Sequence, residues 1–512
     1  MSSKVFLTPY GGVNRIGGNT FLIEDGSSKI FLDFGLDFGR YKSYYDFPLD
    51  LPKTTYELLI TGILPKVRSH EGKQFFEYCE LEKSEDRGKK WTIIEKQPIE
   101  PFSIIISHAH LDHIGNSIFL PSSTPIYLST FSKTSFITFF LSRLFKSRGS
   151  GLIDKLAISY DSKERIKSLE KPPFDAFRNN YTLFRNNVQF KAHDILVEPY
   201  AVDHSIPGAF GFIVRTSDRV IAYTGDFRMH GLMKDFSNKF VENLSSERLD
   251  YLLCEGTNLG LNPVRSEEDV VSSTESVLKK FFEHGGEHAL VILSHTNIDR
   301  ISEMYGVARR LGLNLYISGE IFLLLYYILT SELKGRLRSP LPPIVKDPKI
   351  DSISQAFWPS SGEVRSLGVL VKNSPKLKEL AEKLSLNVAD ENDFSTVPTK
   401  SLILLKDVHA ILSKKFVKNS IFIASTTEHE DEEDLYDLNR FVNQVMLLGI
   451  PLLRIHSSGH ASVIELIDFV KRVRPKNLIP IHTLYPNFFK SYFERILDIN
   501  VILPLEGYPI RL

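Results

Sequence analysis

The stretch Ser107-His108-Ala109-His110-Leu111-Asp112-His113-Ile114-Gly115 restricts this chain more than any other. It follows Ser103-Ile104-Ile105-Ile106, an apolar, β-branched run that reads as a buried strand. Three imidazoles and a carboxylate then fall within six residues, at a strand end where a loop can aim them at one point. Borderline divalent metals take nitrogen and oxygen ligands in such clusters. Alternation along an extended chain points His108 and His110 the same way, so the two can share one ion. Asp112 and His113, where the chain turns into the next element, can reach a second ion. A polar loop that merely happens to be rich in histidine is the bland alternative, and four ligand-type residues at this spacing disfavour it.

His-x-His-x-Asp-His after a strand resembles the signature of the metallo-β-lactamase fold. Further motifs follow that family's order. Asp33 ends a strand in Asp33-Phe34-Gly35, like the family's first motif, whose aspartate orients the metal site without being a principal ligand. His204, in Asp203-His204-Ser205, and Asp226, in Thr224-Gly225-Asp226-Phe227-Arg228, are similar to the third and fourth motifs. Glu255 in Cys254-Glu255-Gly256-Thr257, His460 in Ser458-Gly459-His460-Ala461 and His482 in Pro480-Ile481-His482 match, in order, motifs A, B and C of the β-CASP nucleases. That group includes ribonuclease J, the cleavage and polyadenylation endonuclease and the Artemis-type DNA nucleases. The resemblance covers essentially the whole chain.

It implies an α/β architecture: an αββα metallo-β-lactamase sandwich with an inserted doubly wound α/β β-CASP domain. The core would occupy residues 1–235, with an insertion at about 41–101, and resume over 451–512; the β-CASP domain would span 236–450. By the same resemblance His108, His110 and His204 bind one zinc, Asp112, His113 and His482 bind the other, and Asp226 bridges. Mn2+ or Mg2+ are the substitutes for the two Zn2+. The implied reaction is hydrolysis of RNA by a hydroxide held between the ions, leaving 5′-phosphate and 3′-hydroxyl ends. Asp112, His460 and Glu255 are its catalytic residues, with His460 as general acid. A histidine at motif C accompanies RNA-processing members, whereas the DNA-repair branch typically carries valine there.

Some of this can be read without the family. Ser457-Ser458-Gly459 precedes a helical pattern whose free N–H groups favour an anion, so Ser457, Ser458, Gly459 and His456 are candidates for holding a substrate phosphate. His460 at that mouth can protonate a leaving oxygen if a carboxylate such as Glu255 orients it. His70, His193, His230, His284, His288, His295, His409 and His429 have no companion motif; His295 is expected to cap the helix that follows it.

At 512 residues the chain can build more than one core. Its 62 basic and 62 acidic side chains cancel, which counts against indiscriminate polyanion binding without excluding a local basic groove. Two distant cysteines, Cys79 and Cys254, argue against a disulfide framework and for a reducing, cytoplasmic setting. The N-terminus lacks a signal pattern, and the longest apolar run, Ile321 to Leu329, is too short to span a membrane and predicts a buried helix. Gly11-Gly12 and Gly17-Gly18 are not followed by Lys-Ser/Thr, so a P-loop is rejected.

Asn19 to Glu24 and Lys29 to Asp33 predict a hairpin about Asp25-Gly26-Ser27-Ser28. From about Leu249 short strands alternate with amphipathic helices, including one over Ser266 to Glu283 with Ser266 as N-cap. Leu452 to Ile455 is expected to open the resumed core as a strand. The basic stretch Lys146 to Lys171 and the acidic run Glu428 to Asp434 read as solvated surface.

Three departures mark the chain as a minimal or divergent member. Thr483 follows His482 where glycine is common, the 41–101 insertion is positioned to cover or extend a substrate channel, and only 30 residues follow His482. No extra C-terminal domain is then expected, which weakens the case for the dimer such a domain makes. The rivals are a lactone, thioester or β-lactam hydrolase of the same fold, a DNA nuclease, and an inactive RNA-binding subunit.

Overall fold

Strand alternation and glycine-permitted turns build the first of three large sheets. The computed structural model describes residues 4–45, 54–83, 91–94, 96–136, 180–259, 265–330, 367–372, 374–406, 411–426 and 441–512. Val5–Gly11, Thr20–Asp25 and Ser28–Leu32 form an antiparallel meander, the last two joined by the expected tight turn with Gly26 at φ +60°. Ser103–Ile105, Pro125–Leu128 and Asn180–Leu183 continue the sheet in parallel, and Ile510–Arg511 closes its other edge.

A second sheet faces it. Its strands run in the order Asn500–Val501, Asn477–Ile481, Tyr251–Glu255, Val220–Tyr223, Phe210–Arg215, Ile195–Ala201, Phe190–Ala192. Inward side chains of both sheets, among them Leu7, Phe21, Leu32, Ile105, Phe212, Tyr223 and Ile479, make one buried cluster. The outer face of the second sheet is covered by the helices Lys234–Ser246 and Val463–Val473 through Phe240, Leu244, Leu466, Phe469 and Val470. Each such fully buried side chain stabilises the fold by about 1.5–3 kcal/mol before conformational entropy is counted. The result is the αββα sandwich.

The segment from 54 onward, within the expected insertion, lies on the outer face of the first sheet. Leu58, Ile63, Leu64, Phe75 and Phe76 pack there on Phe31, Phe34, Phe102 and Ile104. These described apolar residues thus add a layer to the core.

The third sheet is all-parallel, in the order Asn387–Asp390, Leu367–Val371, Asn314–Ser318, Ser401–Leu405, His288–Ile292, Ser420–Ala424, Leu452–Arg454. Apolar clusters lie on both of its faces, as a doubly wound sheet requires. Glu267–Glu283 starts at Ser266 with a full capping box, as expected. The next helix, Ile298–Arg310, is capped by Asn297 and not by His295: the Asn297 side chain accepts from the Arg300 N–H. The run beginning at Ile321 is helical and buried through Tyr326.

Three elements fall on the other side of the expected boundaries. The helix Lys234–Ser246 and the strand Tyr251–Glu255 belong to the second core sheet, beyond 235, because Tyr251–Glu255 pairs in parallel with both Val220–Tyr223 and Asn477–Ile481. Leu452–Arg454 belongs to the third sheet, where it pairs with Ser420–Ala424. Periodicity identifies a strand, but only pairing says which sheet receives it. The basic stretch Lys146 to Lys171, the acidic run Glu428 to Asp434, His409 and His429 lie outside the described residues. Among the described residues no helix is long and apolar enough to cross a membrane.

Candidate metal centre

The ligand-type residues come from strand ends of both core sheets. Ser103–Ile105 ends just before Ser107-His108, and a short helix, Leu111–Ile114, carries Asp112 and His113. His204 follows Ile195–Ala201, Asp226 follows Val220–Tyr223, and His482 follows Asn477–Ile481. Gly35 is required where the chain crosses beneath: a Cβ there would lie 1.6 Å from the Asp112 carbonyl oxygen.

The side chains converge as two sets that share Asp226. In the first, His108 Nε2 and His204 Nε2 lie 3.0 and 3.2 Å from His110 Nδ1. Burial holds His108 and His204 well below the usual histidine range and takes His110 down to about 4. Three neutral imidazoles therefore turn nitrogens toward one point, an arrangement that a cation satisfies. In the second set, Asp112 Oδ2 is 3.1 Å from His482 Nε2 and 3.6 Å from His113 Nε2.

Asp226 Oδ2 lies 3.1 Å from His113 Nε2, 3.6 Å from His108 Nε2 and 3.8 Å from His204 Nε2, in reach of both sets. Its other oxygen, Oδ1, is buried and has no hydrogen-bond partner among the described residues. A carboxylate oxygen of this kind amid imidazoles suits the binding of a cation. Both sets have their ligand atoms within 4.8 Å of one another.

Charge compensation separates the two sets. Burial opposes charge on His113 and His482, yet the carboxylates of Asp226 and Asp112 hold both above the ordinary histidine value. Despite burial, His113 and His482 keep Asp112 well below the usual carboxylate range. Ions entering this half must displace protons, so metal affinity falls as pH falls.

Most ligating rings have the second nitrogen engaged, which fixes the tautomer. His108 Nδ1 pairs with Ser107 Oγ at 3.0 Å, and His204 Nδ1 donates to the Gly459 carbonyl at 2.5 Å. His482 Nδ1 meets Thr257 Oγ1 at 2.8 Å, and that hydroxyl donates to Glu255 Oε2 at 2.8 Å. His113 Nδ1 donates to Asp33 Oδ2 at 2.7 Å. Asp33, in left-handed backbone at φ +59°, also accepts from the Ser107 N–H and hydroxyl at 2.7 Å each and from Tyr223 OH at 2.5 Å. It thus bonds Ser107, Tyr223 and the ligand-type His113 without itself belonging to either ligand set. Asp33→Asn is expected to weaken metal binding about 10–100-fold while the sheets stay folded. Titration against a chromogenic chelator checks this, and unchanged affinity would show that Asp33 is dispensable.

Glu255 and His460 stand beside the second set. His460 Nδ1 is 3.3 Å from Glu255 Oε1 and 3.9 Å from Asp226 Oδ2. Glu255 is fully buried and held by the Phe227 and Thr257 N–H groups. His482, at φ +49°, occupies left-handed backbone, and Thr483 fits behind it, fully buried, with its hydroxyl accepting from the Tyr485 N–H. A glycine is not needed there.

The expected phosphate segment takes a different form. The helix begins at Val463, with Ser462 as N-cap, and Glu465 reaches back to the Ser462 N–H in a capping box. Ser457 Oγ donates to the Arg265 carbonyl, and Ser458 Oγ exchanges hydrogen bonds with Asn258. The helix's own side chains thus fill its N-terminus, and Ser457, Ser458 and Gly459 form a strapped loop ahead of it. His456 lies behind that loop, pushed by burial to about 3. Of the unassigned histidines, His230 bonds Glu465 and the Ser458 carbonyl, and His70 stacks on Phe6. Thr257, Asn258, Ser107 and Arg228 were not singled out from sequence; only their closeness to the motifs could have pointed to them.

Fold and site define the class: a metallo-hydrolase of the metallo-β-lactamase fold. A family model described as RMMBL, the Zn-dependent metallo-hydrolase RNA specificity domain, matches residues 453–504, the segment that carries His460 and His482. Ribonuclease J of Mycoplasma pneumoniae is 23% identical over 498 residues, covering 94% of this chain and 68% of the relative. Ribonuclease J of Mycolicibacterium smegmatis is 25% identical over 490 residues, covering 93% and 68%. The crystal structure of a protein of unknown function from Enterococcus faecalis V583 shares the fold, with a TM-score of 0.67 at 19% identity over the whole of both chains. These matches make the chain similar, along most of its length, to the ribonuclease J group of the β-CASP nucleases.

Proposed function

We propose that this protein hydrolyses RNA phosphodiester bonds with two zinc ions, leaving 5′-phosphate and 3′-hydroxyl ends. The observation that carries the reading is the sharing of Asp226 between two ligand sets, with the Glu255–His460 pair alongside. His108, His110 and His204 would hold one ion, Asp112, His113 and His482 the other, and Asp226 both. When bound, such ions supply an acidified water and neutralise charge on the phosphoryl oxygens. The chain's own residues do the rest. The Glu255 carboxylate takes the Nδ1–H of His460 and leaves the proton for the departing 3′ oxygen on Nε2. Thr257 ties Glu255 to His482, so the acid and the second ligand set keep one spacing. His482 and the matching RNA specificity domain favour RNA over DNA. Two free, buried cysteines fit a cytoplasmic enzyme.

Digestion of end-labelled RNA and DNA by wild type and Asp112→Ala tests the reading. Wild type is expected to consume RNA, to stop with chelator and to resume with zinc, and Asp112→Ala is expected to be inert. Intact RNA with metal-loaded wild type would overturn the reading, and loss of DNA alone would redirect it to the DNA-nuclease alternative.

A further inference from the structure

Arg228 lies two residues beyond the shared Asp226 and is fully buried. A guanidinium without water is costly unless its N–H groups find acceptors. Those acceptors here come from three parts of the fold. Nε donates to Asp203 Oδ1 at 3.0 Å, next to His204. Nη1 donates to the Ser458 carbonyl at 3.1 Å, two residues before His460. Nη1 also donates to Glu267 Oε1 at 2.7 Å, and Nη2 reaches Asp299 Oδ2 at 3.4 Å.

Glu267 and Asp299 begin the two helices that pack beside the third sheet. Glu267 is in turn clamped by Arg300, through Nε at 2.8 Å and Nη2 at 2.9 Å, and Arg300 also bonds Ser425 Oγ, at the end of a third-sheet strand. One fully buried carboxylate thus joins two fully buried guanidiniums, one from the core and one from the inserted unit.

The loop that Arg228 grips pairs in no strand ladder among the described residues. Its main-chain carbonyls are held by side chains: Ser458 by Arg228 and by His230 Nε2 at 3.0 Å, Gly459 by His204, and His460 by Asn258 Nδ2 at 2.8 Å. Gly459 packs closely on the core, where an added Cβ would lie 2.8 Å from Ser205.

We propose that Arg228 is a positioning residue, fastening the His460 loop to Glu267 so that the acid stands correctly only when the inserted unit is seated on the core. The inference rests on the reading of His460 as the acid. Lysine keeps the charge at this position but, as a point donor on a flexible stem, cannot span Asp203, Glu267 and the Ser458 carbonyl at once.

The test compares full-length, zinc-loaded wild type, Arg228→Lys and Glu267→Gln. Arg228→Lys is expected to retain wild-type zinc content and cooperative unfolding, to lose about 100-fold in kcat and to change KM little. Deuterium uptake in the 456–462 segment should speed up. Glu267→Gln should shift the same quantities in the same direction, and serves alone if Arg228→Lys fails to fold. Wild-type kcat and wild-type uptake in a folded variant would overturn the proposal. So would a kcat loss that merely follows zinc loss, since that would place the effect at His204. The uptake readout needs no turnover, so an inactive wild type would sink the ribonuclease reading while leaving the fastening itself measurable.

Discussion

Replacing Asp226 with alanine is expected to remove RNA cleavage and most metal binding together. Its Oδ2 reaches into both ligand sets, 3.1 Å from His113 Nε2 and 3.6 Å from His108 Nε2. Without it the first set retains three neutral imidazoles, and the second keeps Asp112 as its one carboxylate. His113 and His482 also lose the carboxylate that most favours charge on them. Loss of a partner behind a ligand costs about 10–100-fold in metal affinity, and loss of the shared ligand itself should exceed that range. The sheets should persist, because their cores are apolar and continuous without the site. Equilibrium dialysis with zinc, RNA digestion and far-ultraviolet circular dichroism on one preparation check all three. Wild-type zinc content in the alanine variant would refute the shared-ligand role.

His460→Ala should behave differently: zinc retained, kcat down about 10²–10⁴-fold, and the pH–rate limb that reports the acid lost. The ring stands at the rim of the site, with Nδ1 on Glu255. Its nearest approach to the shared carboxylate is 3.9 Å, longer than the 3.1 Å that His113 makes. Glu255→Gln should move the same limb less, since an amide oxygen still accepts the Nδ1–H while the charge behind it is gone. An RNA bearing a better leaving group at the scissile 3′ oxygen should restore much of the His460→Ala rate. Failure of that rescue, or loss of zinc, would show that His460 is structural or a ligand.

The strand ends that carry site residues could be read from sequence because a histidine or carboxylate lies at, or within three residues of, the end of each apolar run. His108, Asp226, Glu255 and His482 all follow that rule. The sheets that receive those strands could not be read so easily. Tyr251–Glu255 and Leu452–Arg454 look alike as short strands, and their sheets are decided by partners more than 20 residues away. The cap of the following helix is also decided by a contact between side chain and backbone. Ser457-Ser458-Gly459 lies ahead of the helix, whereas the N-cap is Ser462, where Glu465 completes the capping box. Arg228 stayed hidden because its acceptors lie 25, 39, 71 and 230 positions away. A lone arginine after a motif carries no local sign of burial.

Anomalous diffraction at the zinc edge, on crystals of zinc-loaded protein, reaches the shared site itself. The expected map holds two peaks about 3.5–4 Å apart. One should lie among His108, His110 and His204, the other among Asp112, His113 and His482, with Asp226 touching both. A single peak, or zinc bound away from Asp226, would contradict the two-ion centre and the chemistry drawn from it.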